Sequence, residues 1–200
     1  MNEIKTWLSR SATGLALVLA ATVAPIVVSG QDASDALVQT GYASEKAAPL
    51  GGKAPRKGAT NARLRQPRER MAVAEAIWGA ALRLALARCL GLLDEFVDAS
   101  REPLRAVLTA QEMDAGEYLD RMFFYDANPS DCEGTMLAGA TGPGSRVIRV
   151  CGRRFARTMA ESSSQGEALI IHEMLHSLGL GENPPTSRYI TSRILDECRQ

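Results

Sequence analysis

The chain has 200 residues, of which 46% are hydrophobic and 23% are charged, a composition typical of a globular protein with one buried core. A second full domain is not expected within this length. Basic and acidic residues number 23 each, so the chain lacks the basic excess of nucleic-acid-binding proteins and we expect no nucleic-acid partner.

The first thirty residues have the pattern of a secretory signal peptide. Lys5 and Arg10 precede an uncharged run from Ser11 to Val28, and small residues before residue 31 offer a cleavage site. A membrane anchor is the alternative, but Pro25 and the short Ala-rich run disfavour a stable spanning helix. We therefore expect a secreted or periplasmic protein with no stable membrane span after signal removal.

Residues 31–70 have the composition of a disordered linker or pro-segment. They are rich in Ala, Gly, Pro and charged side chains, and Pro49, Pro55 and Pro67 interrupt any periodic pattern. The globular domain is therefore predicted to occupy residues 71–200.

The cysteines favour a disulfide-bonded protein. Cys89, Cys132, Cys151 and Cys198 are separated by 43, 19 and 47 residues, unlike the close pairs of structural zinc sites, and export places them in an oxidising compartment. Of the three possible connectivities we favour Cys132 with Cys151, which closes a strand-turn-strand unit, and Cys89 with Cys198, which ties the termini.

Helical periodicity begins after the linker. Apolar residues at helical spacing predict one long helix over residues 71–99, or two helices broken near Gly91, and the charges within it exclude a membrane span. Ser100 and Pro103 favour a new helix that runs to about Met113.

Two segments have strand character. β-Branched and aromatic residues cluster in Arg121–Tyr125 and Ser145–Cys151, and Thr141–Gly144 supplies a turn before the second segment. These segments predict a small antiparallel sheet.

The next predicted element is a helix that is apolar nearly all round, so we expect it to be buried. Ser164 and Glu167 match a capping box, which predicts that the helix starts at Gln165, and Gly179 is suited to the left-handed conformation that ends helices. Beyond it, apolar residues from Ile190 to Cys198 predict a short closing helix.

The buried helix carries a metal-binding pattern. His172 and His176, the only two histidines, lie four residues apart and therefore point to one helix face, where both imidazoles can bind one Zn²⁺ ion. Glu173 lies beside that face, where it can act as the general base for a water activated by the metal. Two buried histidines satisfied by hydrogen bonds are the alternative, but they would place costly polar rings on an apolar helix.

A catalytic zinc usually has three protein ligands, and no third histidine remains. Glu182 follows Gly179 by three residues, so a tight turn at the glycine could return it to the metal. Asp196 and Glu197 are more distant alternatives. We favour Glu182 as the third ligand.

The run from His172 to Glu182 resembles the extended zinc motif of the metzincin metallopeptidases, HExxHxxGxxH, within the zincin superfamily. The chain has Glu182 where metzincins have a third histidine, and it lacks the methionine turn because no methionine follows Met174. A gluzincin-like arrangement would instead draw the ligand from the following helix, near Asp196 or Glu197. The resemblance covers about twenty residues.

This resemblance implies an α+β, zincin-like domain with N-terminal helices, a short antiparallel sheet, an active-site helix and a C-terminal helix. It implies a zinc metallopeptidase with a peptide or protein substrate. The Ser145–Cys151 strand would be either an ordinary structural strand or an edge to which an extended peptide adds. Tyr189 could reach the site, but we expect a partly buried aromatic and leave it out.

Two other functions are compatible with the sequence. A zinc-stabilised envelope protein could bind a partner without catalysis, with Glu182 closing the coordination sphere. A zinc amidase acting on cell-wall material would differ from a peptidase only in the shape of its pocket.

Overall fold

A computed structural model describes residues 61–140 and 142–200 of the chain. The predicted signal peptide and residues 31–60 of the predicted linker lie outside the described residues. The described fold includes residues before the predicted boundary at residue 71, because Ala62 and Leu64 are buried and Ala62 forms a bridge to Phe124.

The first helix, α1 (Pro67–Leu84), starts with a proline, whose missing N–H costs no intrahelical hydrogen bond at that position. The predicted break near Gly91 is confirmed, because α2 (Ala87–Leu90) and α3 (Leu92–Glu95) lie on either side of it. A second break separates α1 from α2, so the region is three helices rather than one or two.

Two short helices precede the sheet. The predicted helix start near Pro103 is confirmed by α4 (Leu104–Ala110), which ends before Met113. The next helix, α5 (Ala115–Asp120), was not predicted, although Asp114 and Glu117 form a complete capping box at its start.

The sheet is mixed, so the prediction of an antiparallel sheet is wrong. It comprises β1 (Phe123–Asp126), β2 (Ala138–Ala140) and β3 (Val147–Val150) in the order β1-β3-β2. The two predicted strands, β1 and β3, pair in parallel, whereas β2 pairs with β3 antiparallel. β1 and β3 can be parallel because β2 lies between them in the chain and runs in the opposite direction to both.

The order of the strands also decides which strand is an edge. Because β3 has neighbours on both sides, the Ser145–Cys151 segment is an ordinary structural strand, and its interpretation as a peptide-binding edge is wrong. On the outer side of β1, Arg63 N–H donates to the Phe124 carbonyl at 2.7 Å and Phe124 N–H to the Asn61 carbonyl at 3.0 Å.

Three helices complete the chain: α6 (Gly152–Glu161), α7 (Ser163–Ser177) and α8 (Ser187–Glu197). The predicted closing helix is confirmed by α8, whereas α6 was not predicted. The helix that carries His172 and His176 is α7, and its predicted burial is confirmed, because α7 packs against α1, α6, α8 and β2. The architecture is therefore α+β, with α7 at its centre.

The start of α7 differs from the prediction. The helix begins at Ser163 after the N-cap Ser162, and no side chain caps it. Glu167 does not close a capping box with Ser164, because its carboxylate accepts a hydrogen bond of 2.6 Å from Arg83 on α1. A buried guanidinium thus attracts the carboxylate that the sequence pattern assigned to a local cap.

Both predicted disulfides are confirmed. Cys89 is bonded to Cys198 and Cys132 to Cys151, over separations of 109 and 19 residues. The first joins α2 to the end of α8, and the second joins the segment before β2 to the start of α6.

Among the described helices, none is alone both long enough and apolar enough to cross a membrane. The pair Pro67–Leu84 and Ala87–Glu95 reaches the required length and composition only when taken together, across a bend of 93°.

Candidate metal centre

The central helix brings the two histidines together. Four residues of α-helix complete just over one turn, so His172 and His176 lie on one face of α7. Their Nε2 atoms are 2.9 Å apart and their ring centroids are 4.7 Å apart. The two ring nitrogens therefore converge on one point, as the sequence spacing predicts.

The end of α7 returns the chain to this point. Gly179 has a φ of +118°, its N–H donates to the His176 carbonyl at 3.0 Å, and the Leu180 N–H donates to the Leu175 carbonyl at 3.0 Å. These two bonds form a Schellman motif, which the glycine permits because it has no Cβ. The motif reverses the chain and places Leu180 and Glu182 beside the histidines.

Each histidine has a partner on its other ring nitrogen. Nδ1 of His176 lies 2.8 Å from the backbone carbonyl of Leu180, and Nδ1 of His172 lies 3.0 Å from the hydroxyl of Thr191 on α8. A carbonyl can only accept, so Nδ1 of His176 carries a hydrogen, which leaves Nε2 as the nitrogen that could bind a metal. Partners of this kind orient imidazoles that bind metals.

The environment keeps His172 neutral. Its side chain is buried, and this burial together with the nearby His176 lowers the pKa of His172 from 6.5 to about 4. At neutral pH the imidazole is therefore in the deprotonated form that binds metals.

Glu182 completes a possible three-ligand set. One ligand atom each from His172, His176 and Glu182 lie within 4.8 Å of one another, so this cluster could hold a metal ion. The two alternative carboxylates hydrogen-bond to arginines instead. Asp196 accepts from Arg199 at 2.8 Å, and Glu197 accepts from Arg193 at 3.0 Å.

Glu173 lies next to this cluster. It is buried, with 5% of its surface exposed, and it lines the same cleft as the three possible ligands. The structure therefore places all four sequence-predicted residues of the site at one cleft.

The cleft has a volume of about 880 Å³. Its walls include residues 135–139 and 142–143, the face of α7 that carries the histidines, and the start of α8. Among the described residues that line it, the ionisable side chains are the four just named, and the remainder are uncharged.

One wall of the cleft is fixed by an arginine that the sequence analysis missed. The guanidinium of Arg154, on α6, donates to the carbonyls of Cys132 at 2.9 Å and Met136 at 3.2 Å, and also to that of Gly134. The Cys132–Cys151 disulfide holds the same segment. No local motif marks Arg154, because its partners lie about twenty residues earlier in the chain.

Tyr189 does not line the cleft. Its hydroxyl donates to Glu95 at 3.4 Å, and its ring lies edge-on to Phe96. Its omission from the predicted site agrees with this position, although the side chain is 48% exposed rather than partly buried.

Comparisons with known protein families, curated proteins and solved structures find no match to this chain. The chemistry and geometry of the residues at the cleft are therefore what indicates a function.

Proposed function

We propose that this protein is a zinc-dependent hydrolase that cleaves peptide bonds. The observation that carries the proposal is the convergence of two histidine Nε2 atoms and the Glu182 carboxylate at the wall of an open cleft, beside the buried Glu173.

The residues of the site fit a zinc ion. Two imidazole nitrogens and one carboxylate oxygen make a three-ligand set typical of catalytic zinc, which keeps its fourth position for water. Two nitrogens on a tetrahedral zinc are about 3.3 Å apart, from bond lengths of about 2.0 Å. The observed Nε2 separation of 2.9 Å is close to that value.

Bound zinc supplies Lewis acidity: it lowers the pKa of a bound water and polarises a carbonyl group. Glu173 follows His172 directly on α7 and lines the same cleft, so we assign its carboxylate the role of accepting the proton of the attacking water. The same carboxyl can then donate that proton to the leaving amine. Its burial strengthens these interactions, since the local dielectric constant is low.

The walls of the cleft favour a peptide as substrate. The edge strand β2 contributes Ala138 and Gly139 to the lining, and the exposed backbone groups of an edge strand can pair with an extended chain. Apart from the four site residues, the lining is uncharged, which also suits a neutral backbone and small or apolar side chains.

Export is part of the proposal. Two disulfides suit an oxidising compartment, and the N-terminal thirty residues have the pattern of a signal peptide. We therefore propose a secreted or periplasmic enzyme.

The test combines metal analysis with peptide hydrolysis. We expect stoichiometric zinc and hydrolysis of a quenched fluorescent peptide library by the wild-type protein, loss of both with His176→Ala, and retention of zinc with Glu173→Gln. Turnover of Glu173→Gln should fall by roughly 10² to 10⁴, the usual contribution of a general base.

A matched carboxylate control tests the ligand set. Glu182→Gln should weaken zinc binding, whereas Glu197→Gln, which changes a carboxylate paired with Arg193, should leave it unchanged. Zinc-loaded wild-type protein that cleaves no peptide would overturn the peptidase assignment, and full turnover by Glu173→Gln would overturn the role of Glu173.

A further inference from the structure

We propose that Thr191 is a positioning residue of the metal centre, whose hydroxyl orients the His172 ring and can hydrogen-bond to its Nδ1 with the ring hydrogen on either nitrogen. This inference rests on the proposed zinc site. Thr191 lies on α8, nineteen residues beyond its partner, and its hydroxyl is 3.0 Å from Nδ1 of His172.

The two histidines have different kinds of partner. The Leu180 carbonyl can only accept, so it holds His176 in the form with hydrogen on Nδ1. A hydroxyl can both donate and accept, so Thr191 is compatible with hydrogen on either nitrogen of His172.

Because the two rings are close together, the ability of the Thr191 hydroxyl both to donate and to accept affects which nitrogen of His172 can carry the ring hydrogen. With the lone pair of His176 on Nε2, a neutral His172 can donate from its own Nε2 across the 2.9 Å separation, while Thr191 donates to its Nδ1. When zinc takes both Nε2 lone pairs, the hydrogen of His172 must be on Nδ1, and Thr191 then accepts. Reorientation of one hydroxyl therefore serves both protonation patterns of His172.

The helix that carries Thr191 is well anchored. Ile190 and Ile194 are fully buried on either side of it, and the Cys89–Cys198 disulfide fixes the end of α8. A hydroxyl on such an element is held in place before metal binds, which is the requirement for an effective positioning group.

The experiment measures zinc affinity by competition with a fluorescent chelator. Thr191→Val keeps the shape of the side chain but removes the hydroxyl, and we expect zinc binding about 10-fold to 100-fold weaker, as is typical when a partner of a ligand is lost. Thr191→Ser restores the hydroxyl and should bind zinc within about threefold of wild type.

A control on the same helix separates positioning from helix stability. The Thr186 hydroxyl caps α8 by accepting from the Tyr189 N–H at 3.2 Å. Thr186→Val should therefore lower the stability of α8 without changing zinc affinity. Equal losses of affinity in Thr186→Val and Thr191→Val would overturn the proposal.

Nitrogen NMR of the imidazole rings gives a second readout in the wild-type protein, which has only two histidines. Zinc should move the ring hydrogen of His172 from Nε2 to Nδ1 and leave that of His176 on Nδ1. A zinc form without hydrogen-bonded Nδ1–H on His172 overturns the inference even if Thr191→Val does not fold. Wild-type protein that binds no zinc is a different result, which overturns the proposed function.

Discussion

The guanidinium of Arg83 on α1 donates a hydrogen bond of 2.6 Å to the carboxylate of Glu167 on α7, and only 10% and 13% of the two side chains is exposed. Arg83 also donates to the Cys198 carbonyl at 2.6 Å. Gly79 provides the space, because a Cβ at that position would lie 2.3 Å from the Glu167 carboxyl carbon. One buried ion pair thus joins the central helix α7 to both ends of the domain.

Removal of one partner should destabilise the fold strongly. Arg83→Met leaves the Glu167 charge buried without its partner, and we expect the free energy of unfolding to fall by about 3 to 5 kcal/mol. Urea denaturation of the metal-free protein measures this loss. The double variant Arg83→Met, Glu167→Met should recover part of the stability, and a double variant as unstable as the single one would contradict this account.

The disulfides should differ in their contributions to stability. The Cys89–Cys198 bond closes a loop with a separation of 109 residues, and Cys132–Cys151 one of 19. Loop-closure entropy predicts losses of about 5 and about 3 kcal/mol when each pair is replaced by alanine. Denaturation of the two double variants checks this order, and a larger loss for the shorter loop would contradict it.

The sequence predicts those parts of the site whose geometry is set by residues close together in the chain. The spacing of His172 and His176 defines one helix face, and Gly179 ends that helix and returns Glu182, all within eleven residues. Neither step depends on distant parts of the chain, because helical geometry and the glycine conformation suffice.

The features that the sequence analysis missed depend on distant partners. The strand β2 is Ala-Gly-Ala, with no intrinsic strand preference, and exists because β3 pairs with it. Glu167 was assigned to a local cap, but its partner Arg83 lies 84 residues earlier. Thr191 meets His172 only because α8 packs against α7, so no motif could identify it.

The pair of Glu95 and Arg193 should make stability depend on pH. Arg193 donates to both carboxylate oxygens of Glu95, at 2.9 and 2.7 Å, and these hydrogen bonds lower the pKa of Glu95 below its ordinary value of 4.5. Because the folded-state pKa is the lower one, the pair stabilises the fold above pH 4.5, and this contribution disappears as the pH falls through the folded-state value.

Comparison of wild type with Glu95→Gln measures this contribution. Above pH 4.5 the wild-type protein should have the higher urea midpoint, and the difference should shrink as the pH is lowered from 4.5 through the folded-state pKa of Glu95. A difference that stays constant over this range would show that the carboxylate charge does not contribute.

Arg154 should affect substrate binding without affecting the metal. Its guanidinium holds the segment from Cys132 to Met136, of which Thr135 and Met136 line the cleft and none is a possible ligand. Arg154→Met removes these hydrogen bonds, so the wall should become less ordered and KM for peptides should rise about tenfold, equivalent to about 1.4 kcal/mol. Zinc affinity should remain that of the wild type.

Arg157, an exposed residue one turn away on α6, provides the matched control, because Arg157→Met should leave KM unchanged. A fall in zinc affinity with Arg154→Met would show instead that the wall supports the metal ligands.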